Sequence, residues 1–299
     1  MRPLAASGRI KRAGPTLRAV ALTSAAMVAF ASNSLLCRLA LQHARIDPAS
    51  FASVRLVSGA LMLAAIVRAG ARRPPQRADW LAATMLFAYV AFFSFAYLTV
   101  RAGTGALILF GAVQLTMFGA GLRAGERFAP AGWVGVACAL GGLLYLVSPG
   151  ESAPAPRGVA LMAVAGVAWG IYSLRGRGRA DPLAATAGNF ARAAPMALVV
   201  SAVLRADFHW TASGVALALA SGALTSGIGY VIWYAALRRL SAMQAATVQL
   251  SVPPIAAFGA VLFLSETPGW RLAISSAAIL GGIALVLASR ARPSKRPAS

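Results

Sequence analysis

The side chains able to do chemistry in this chain are few, and most lie inside apolar runs. Asn33, Gln114, Asn189, Gln244 and Gln249 place carboxamides within stretches otherwise rich in Ala, Leu and Val. A carboxamide donates and accepts hydrogen bonds but carries no charge and no nucleophile, so its chemistry is recognition. Polar groups in an apolar span are costly and face a cavity or a partner helix. Gln114 and Gln249, each near the midpoint of its run, are expected to orient a polar group of a solute, with helix-to-helix hydrogen bonding as the competing role. Arg55 and Arg192 are the charged counterparts. Each offers contact to an anion, unless its long side chain snorkels to the interface or caps carbonyls.

Aromatic residues form a third set: Tyr89, Phe92, Phe93, Phe95, Tyr97, Trp169, Tyr172, Tyr230, Trp233 and Tyr234. Near span ends such rings build interfacial belts, but Tyr89, Phe93 and Trp169 are too deep for that. Pro195, Pro253 and Pro254 also fall inside apolar runs, where a proline removes a backbone donor, kinks the helix and frees carbonyls. Freed carbonyls beside Gln249 and Ser251 are a further candidate contact for solute.

The absences narrow the chemistry. No Asp, Glu or His lies in the middle of an apolar run, and the two histidines, His43 and His209, fall between runs. Cys37 and Cys138 both lie within runs, so no disulfide framework is implied. There is no His-Glu-x-x-His and no Walker-A loop. No metal, no cofactor and no catalytic constellation can be assembled, which argues against an enzyme. A buried carboxylate or histidine relay is missing as well, which disfavours cationic drugs and suits neutral, zwitterionic or anionic metabolites. Glu126 and Glu266, at run ends, are expected to pair with Arg123 and Arg127, and with Arg271.

These side chains must be positioned by membrane-spanning helices. Hydrophobic residues make up 59% of the chain and charged residues 12%, the latter about half the soluble average. Ten apolar runs fall near 19–41, 49–68, 80–100, 104–123, 130–148, 157–175, 183–204, 212–236, 242–264 and 270–289, each near the roughly 20 residues that cross a bilayer. A net charge of +21 suggests nucleic acid at first, but the basic residues alternate in density between runs. Twenty of the 28 sit in the tails and every second connection: Arg2, Arg9, Lys11, Arg12, Arg18; Arg68, Arg72, Arg73, Arg77; Arg123, Arg127; Arg175, Arg177, Arg179; Arg238, Arg239; and Arg290, Arg292, Lys295, Arg296. The intervening connections hold five: Arg45, Arg101, Arg157, Arg205 and Arg271. Cytoplasmic loops retain the excess of Lys and Arg, so both termini are expected in the cytoplasm, and the bilayer, not nucleic acid, is the expected partner. Ala29-Phe30-Ala31 mimics a signal-peptide cleavage site, but apolar character continues to Leu41, which favours an uncleaved first span.

The chain is also duplicated. Displaced by 140 residues, Phe118-Gly119-Ala120 meets Phe258-Gly259-Ala260, Glu126 meets Glu266, and Leu140-Gly141-Gly142 meets Leu280-Gly281-Gly282. Ala106 and Ala137 meet Ala246 and Ala277 in the same register, and Asp47-Pro48 corresponds to Asp181-Pro182. With five spans each, the two units must be inverted with respect to one another. The expected domains are a basic tail 1–18, a first repeat 19–148, an outward linker 149–156, a second repeat 157–289 and a basic tail 290–299. The fold class is all-α, a polytopic membrane protein of ten transmembrane helices.

On the duplicated five-span layout, the two Asp-Pro helix starts and the twice-repeated Phe-Gly-Ala, Glu, Leu-Gly-Gly pattern, the chain resembles the EamA-domain transporters of the drug/metabolite transporter superfamily. The resemblance covers about residues 20–290, with Val113-Gln114 standing opposite Pro253-Pro254 as a departure. It implies an inner-membrane secondary carrier, by family weight an exporter of small metabolites such as amino acids, with no cofactor. Helices 1, 3, 4, 6, 8 and 9 would line a central cavity, which would put Asn33, Tyr89, Phe93, Gln114, Trp169, Tyr172, Trp233 and Gln249 at or near its wall. A passive channel is the alternative, and homodimer formation is left open.

Overall fold

A computed structural model describes residues 17–70, 78–125, 129–150, 153–176, 179–240, 245, 248–267 and 269–290. Most of both basic tails, Arg72, Arg73, Arg77, Glu126, Arg127, Arg177 and Gln244 therefore lie outside the described residues. Among the described residues the fold is built on ten longer helices: α1 (Leu17–Leu41), α2 (Pro48–Ala69), α3 (Trp80–Ala96), α4 (Ala102–Arg123), α5 (Pro130–Val147), α6 (Pro156–Gly176), α7 (Pro182–Val203), α8 (Ala212–Leu237), α9 (Val252–Leu264) and α10 (Trp270–Arg290). Eight are long and apolar enough to cross a membrane; α3 and α9 are shorter apolar helices. A single antiparallel bridge, Ile46 with Trp210, is the β pairing among the described residues.

Local chemistry explains the helix starts. Asp47 caps α2 by accepting from the Ser50 N–H at 2.8 Å, and Asp181 caps α7 through Ala184 at 3.0 Å. In both, the following proline takes the first turn, where its missing N–H is not needed. Asp79 caps α3 through Ala82 at 2.9 Å.

Two span expectations and the reading of the paired prolines need correction. The third span ends at Ala96, not near 100, because Arg38 takes the Tyr97 and Leu98 carbonyls at 2.8 and 3.1 Å. The ninth is interrupted by a turn at Leu250–Ser251 before α9 starts at Val252. Pro253 and Pro254 accordingly do not kink a continuous helix but sit in the first turn of a new one. Pro195 does lie inside α7, on its exposed side.

The packing repeats across the halves. As α3 packs on α6 and α7, so α8 packs on α1 and α2; α2 meets α7, α4 meets α9 and α5 meets α10. In the α5–α10 seam glycines of the two helices face one another. A Cβ on Gly135 would come within 2.5 Å of the Gly282 carbonyl oxygen, and one on Gly282 equally close to that of Gly135. Gly142 sits in the same way against Ala278. Apolar burial does little to join helices in lipid, so close backbone approach through small residues carries the association.

In the middle of α8 the chain widens into a π-helix over Ala220–Ile228, a rare geometry often found at functional positions. Gly222 in this stretch abuts the Arg55 carbonyl and Ser58 of α2.

Candidate functional site

The helices enclose a cavity of about 1250 Å³ that reaches the arginine-rich end of the molecule. Its rim carries Arg18, Arg175, Arg179, Arg238 and Arg239 against Asp79 and Asp181. Asp79 bonds Arg175 (3.0 Å from Nη2 to Oδ1) and Arg179, tying the start of α3 to the end of α6. Burial pushes the Asp79 carboxyl up, but the Ala82 N–H and the two guanidinium groups outweigh it and hold the group below its ordinary value.

Deeper in, Gln114, Trp169, Tyr172, Trp233 and Gln249 all line the space. Gln249 also reaches the Ala245 carbonyl at 3.4 Å. Beside them stand Phe30, Thr186, Asn189, Tyr230 and Tyr234. Thr186 donates to the Pro182 carbonyl and gathers the hydroxyls of Tyr234 at 2.7 Å and Tyr172 at 3.4 Å. Tyr230 and Tyr234 belong to the aromatic set read from the sequence, whereas Thr186 and Phe30 carry no such signal, since composition does not tell which face of a helix turns inward. The rim arginines carried a sequence signal, but one legible only as topology.

The remaining candidates sit elsewhere. Asn33 accepts from Ser221 at 2.8 Å and Thr225 at 2.7 Å, so it joins α1 to the π-helical stretch of α8. Tyr89 and Phe93 stand one layer behind the cavity, with Tyr89 4.8 Å from Trp169 between ring centroids. From Tyr172 the rings run on through Trp169, Tyr89, Phe93 and Tyr97, toward the arginine-poor end. Arg192 follows the snorkelling course, back past Gly188 to the Trp80 ring. Arg55 does not snorkel: it is 2% exposed, bonded to Tyr89 and Ser226, with its Nη1 unpartnered. Cys37 is buried and Cys138 is exposed on its helix.

The opposite end is closed by a different set of bonds. Glu266 pairs with Arg38 at 3.4 Å, and its two carboxylate oxygens accept from the Ala102 N–H at the start of α4. Its expected partner Arg271 instead binds the Ser148 and Pro149 carbonyls. The tertiary approach of α1 to the connection before α10, not proximity in sequence, decides this pairing.

A ten-helix bundle of two inverted repeats around a cavity open at one end is the architecture of a transporter. The EamA-like transporter family matches residues 17–148 and 156–288, one repeat each, and the chain belongs to that family. It is 51% identical over 278 residues to an uncharacterised protein of Pseudomonas aeruginosa, covering 92% of this chain and 96% of that one. It is 28% identical over 272 residues to a Streptantibioticus cattleyicolor protein named "Probable terminal-alkyne amino-acid exporter", covering 87% and 90%. A solved crystal structure shares the fold with a TM-score of 0.62 at 22% identity, over 88% of this chain and 98% of that one.

Proposed function

We propose that this transporter exports small, amino-acid-like metabolites across the inner membrane by alternating access, with both termini and the open cavity facing the cytoplasm. The observation that carries the reading is the cavity itself. Its depth offers neutral hydrogen-bonding groups and aromatic faces, while the charged residues among its lining sit at the rim. Such a wall suits a zwitterion or a neutral polar solute better than a lipophilic cation, which wants a buried carboxylate. The excess of arginine at the open end supports a cytoplasmic orientation, and the name of the Streptantibioticus relative supports amino acids as cargo. In this reading Gln114, from α4, and Gln249, just before α9, orient the polar end of the solute, and Trp169, Tyr172 and Trp233 pack against its side chain.

Counterflow in proteoliposomes tests this. Vesicles preloaded with unlabelled L-phenylalanine, L-leucine or a terminal-alkyne amino acid should accumulate the labelled form transiently and saturably. Gln114→Ala and Gln249→Ala should each raise KM about tenfold, the worth of one hydrogen bond to a polar ligand, without loss of folded protein. Flux that neither saturates nor exchanges would indicate a channel instead. Unchanged kinetics in both variants would remove the two glutamines from the site.

A further inference from the structure

Arg55 sits roughly 10 Å along α2 from its first residue, by the rise of an α-helix, well inside the span and 2% exposed. A cation in that position normally finds a resident counter-charge. Arg38 has Glu266, and Arg175 and Arg179 have Asp79. Among the described residues Arg55 has neutral neighbours only: the Tyr89 hydroxyl at 3.1 Å, the Ser226 hydroxyl at 3.4 Å, and the faces of Tyr89 and Phe93 at 5.3 and 5.0 Å. Its Nη1 is buried with no acceptor. The guanidinium therefore keeps free part of the edge that binds a carboxylate through two parallel hydrogen bonds.

We propose that Arg55 is the carboxylate receptor on the transport path and the residue that selects solutes bearing a free carboxylate. The assignment deepens the carrier reading above and rests on it. Tyr89 joins the receptor to the cavity, because its ring touches both Trp169 of the cavity wall and the Arg55 guanidinium. Arg55 thus lies behind the wall, and a solute reaches it when those two rings part. The π-helical stretch of α8 supports the receptor, since Ser226 comes from it. The arginine-dominated rim favours the same class of solute by attracting negative charge into the opening.

The test compares three probes of one shape: L-phenylalanine, L-phenylalaninamide, which lacks the carboxylate, and 3-phenylpropanoate, which lacks the amine. Thermal stabilisation of the purified protein reads binding, and competition against labelled L-phenylalanine counterflow reads transport. The wild type should prefer the two carboxylates over the amide at least tenfold in half-saturating concentration. Arg55→Gln should reduce that preference below twofold, and Arg55→Lys should keep part of it. If Arg55→Gln does not fold, a severalfold loss of preference in Arg55→Lys carries the same conclusion. An amide that binds as well as the acids, an equal shift with chloride alone, or an undiminished preference in both variants overturns the assignment. So does the absence of any carboxylate-dependent stabilisation of the wild type. Carboxylate-selective binding without counterflow would keep the receptor and sink the carrier; counterflow without carboxylate preference would do the reverse.

Discussion

In the exchanged halves, α4 against α6 corresponds to α1 against α9, yet the two pairs are built differently. Three glycines of α6 bring it close to the first repeat along its length. Gly158 abuts Thr99 and Val100, Gly166 faces the Leu109 carbonyl, and Gly170 faces Thr116 and the Val113 carbonyl. α1 has no glycine at all. Its meeting with α9 sets Gly259 against the Leu35 side chain, in an apolar cluster that also holds Leu39, Ala260 and Leu264, in the half nearer the closed end. At the other end Leu22 and Phe30 of α1 line the cavity. One pair is sealed by close backbone approach along its length; the other touches at one end and gapes at the other. In an exchange of conformations between the repeats these roles would swap, so the glycine-rich pair is expected to yield where the glycine-poor pair now yields.

The largest effect should come from Gly166→Leu. A Cβ there already stands 2.6 Å from the Leu109 oxygen, and a branched side chain would force the pair apart, at about 3 kcal/mol or loss of folded protein. Thermal unfolding in detergent measures it, and a wild-type melting temperature would show that the seal is not where the glycines place it.

Next comes Glu266→Gln at the closed end. Weakening its bonds to Arg38 and the start of α4 should cost about 2 kcal/mol and raise opening roughly thirtyfold. Maleimide labelling of a cysteine placed at Ala102, which is buried at the closed end, reports it, and an unaltered labelling rate would mean that other contacts hold this end shut.

A smaller effect is expected at the open end, where Arg175 is 41% exposed and its attraction for Asp79 is screened. Because Asp79 is held below its ordinary value, its contribution is complete above the unfolded carboxylate value of about 3.9. It is lost as pH falls through the lower folded value. The difference in melting temperature between wild type and Asp79→Asn should therefore stay constant from about pH 5 to 8 and shrink below about pH 4. A difference that changes across neutral pH would contradict the assignment of the clamp to this carboxylate.

The smallest effect belongs to Gly259→Ala. The atom in the way is the end of the Leu35 side chain, which can turn aside, so stability should move by no more than about 0.5 kcal/mol. A loss as large as that at Gly166 would erase the contrast between the two pairs.

Span number and duplication were legible because they are written in features that survive averaging: runs of about 20 apolar residues, and identities recurring at one displacement. Where a helix stops was less so. α3 ends where Arg38 claims its next carbonyls, and the helix is interrupted before Val252 within a run long and apolar enough to read as one span. The same limit applies to Arg55 and Arg192. Both are single arginines in apolar runs; one lies under two aromatic rings and the other leans out to Trp80. Residue type marks both as unusual, and only the rotation of each helix separates them. Glu266 makes the point for loops, since its partner comes from 228 residues away rather than from five.

The α5–α10 seam has a mechanical consequence. Like the α2–α7 and α4–α9 contacts, it is its own counterpart when the halves are interchanged, so the exchange of conformations proposed above would leave its geometry unchanged while pairs such as α4–α6 and α1–α9 open or close. A lever needs a point that stays still, and two glycines pressed carbonyl to Cα provide one with no side chain to bend. Spin labels straddling this seam would serve as an internal ruler, constant through the transport cycle, against which the travel of every other helix can be measured.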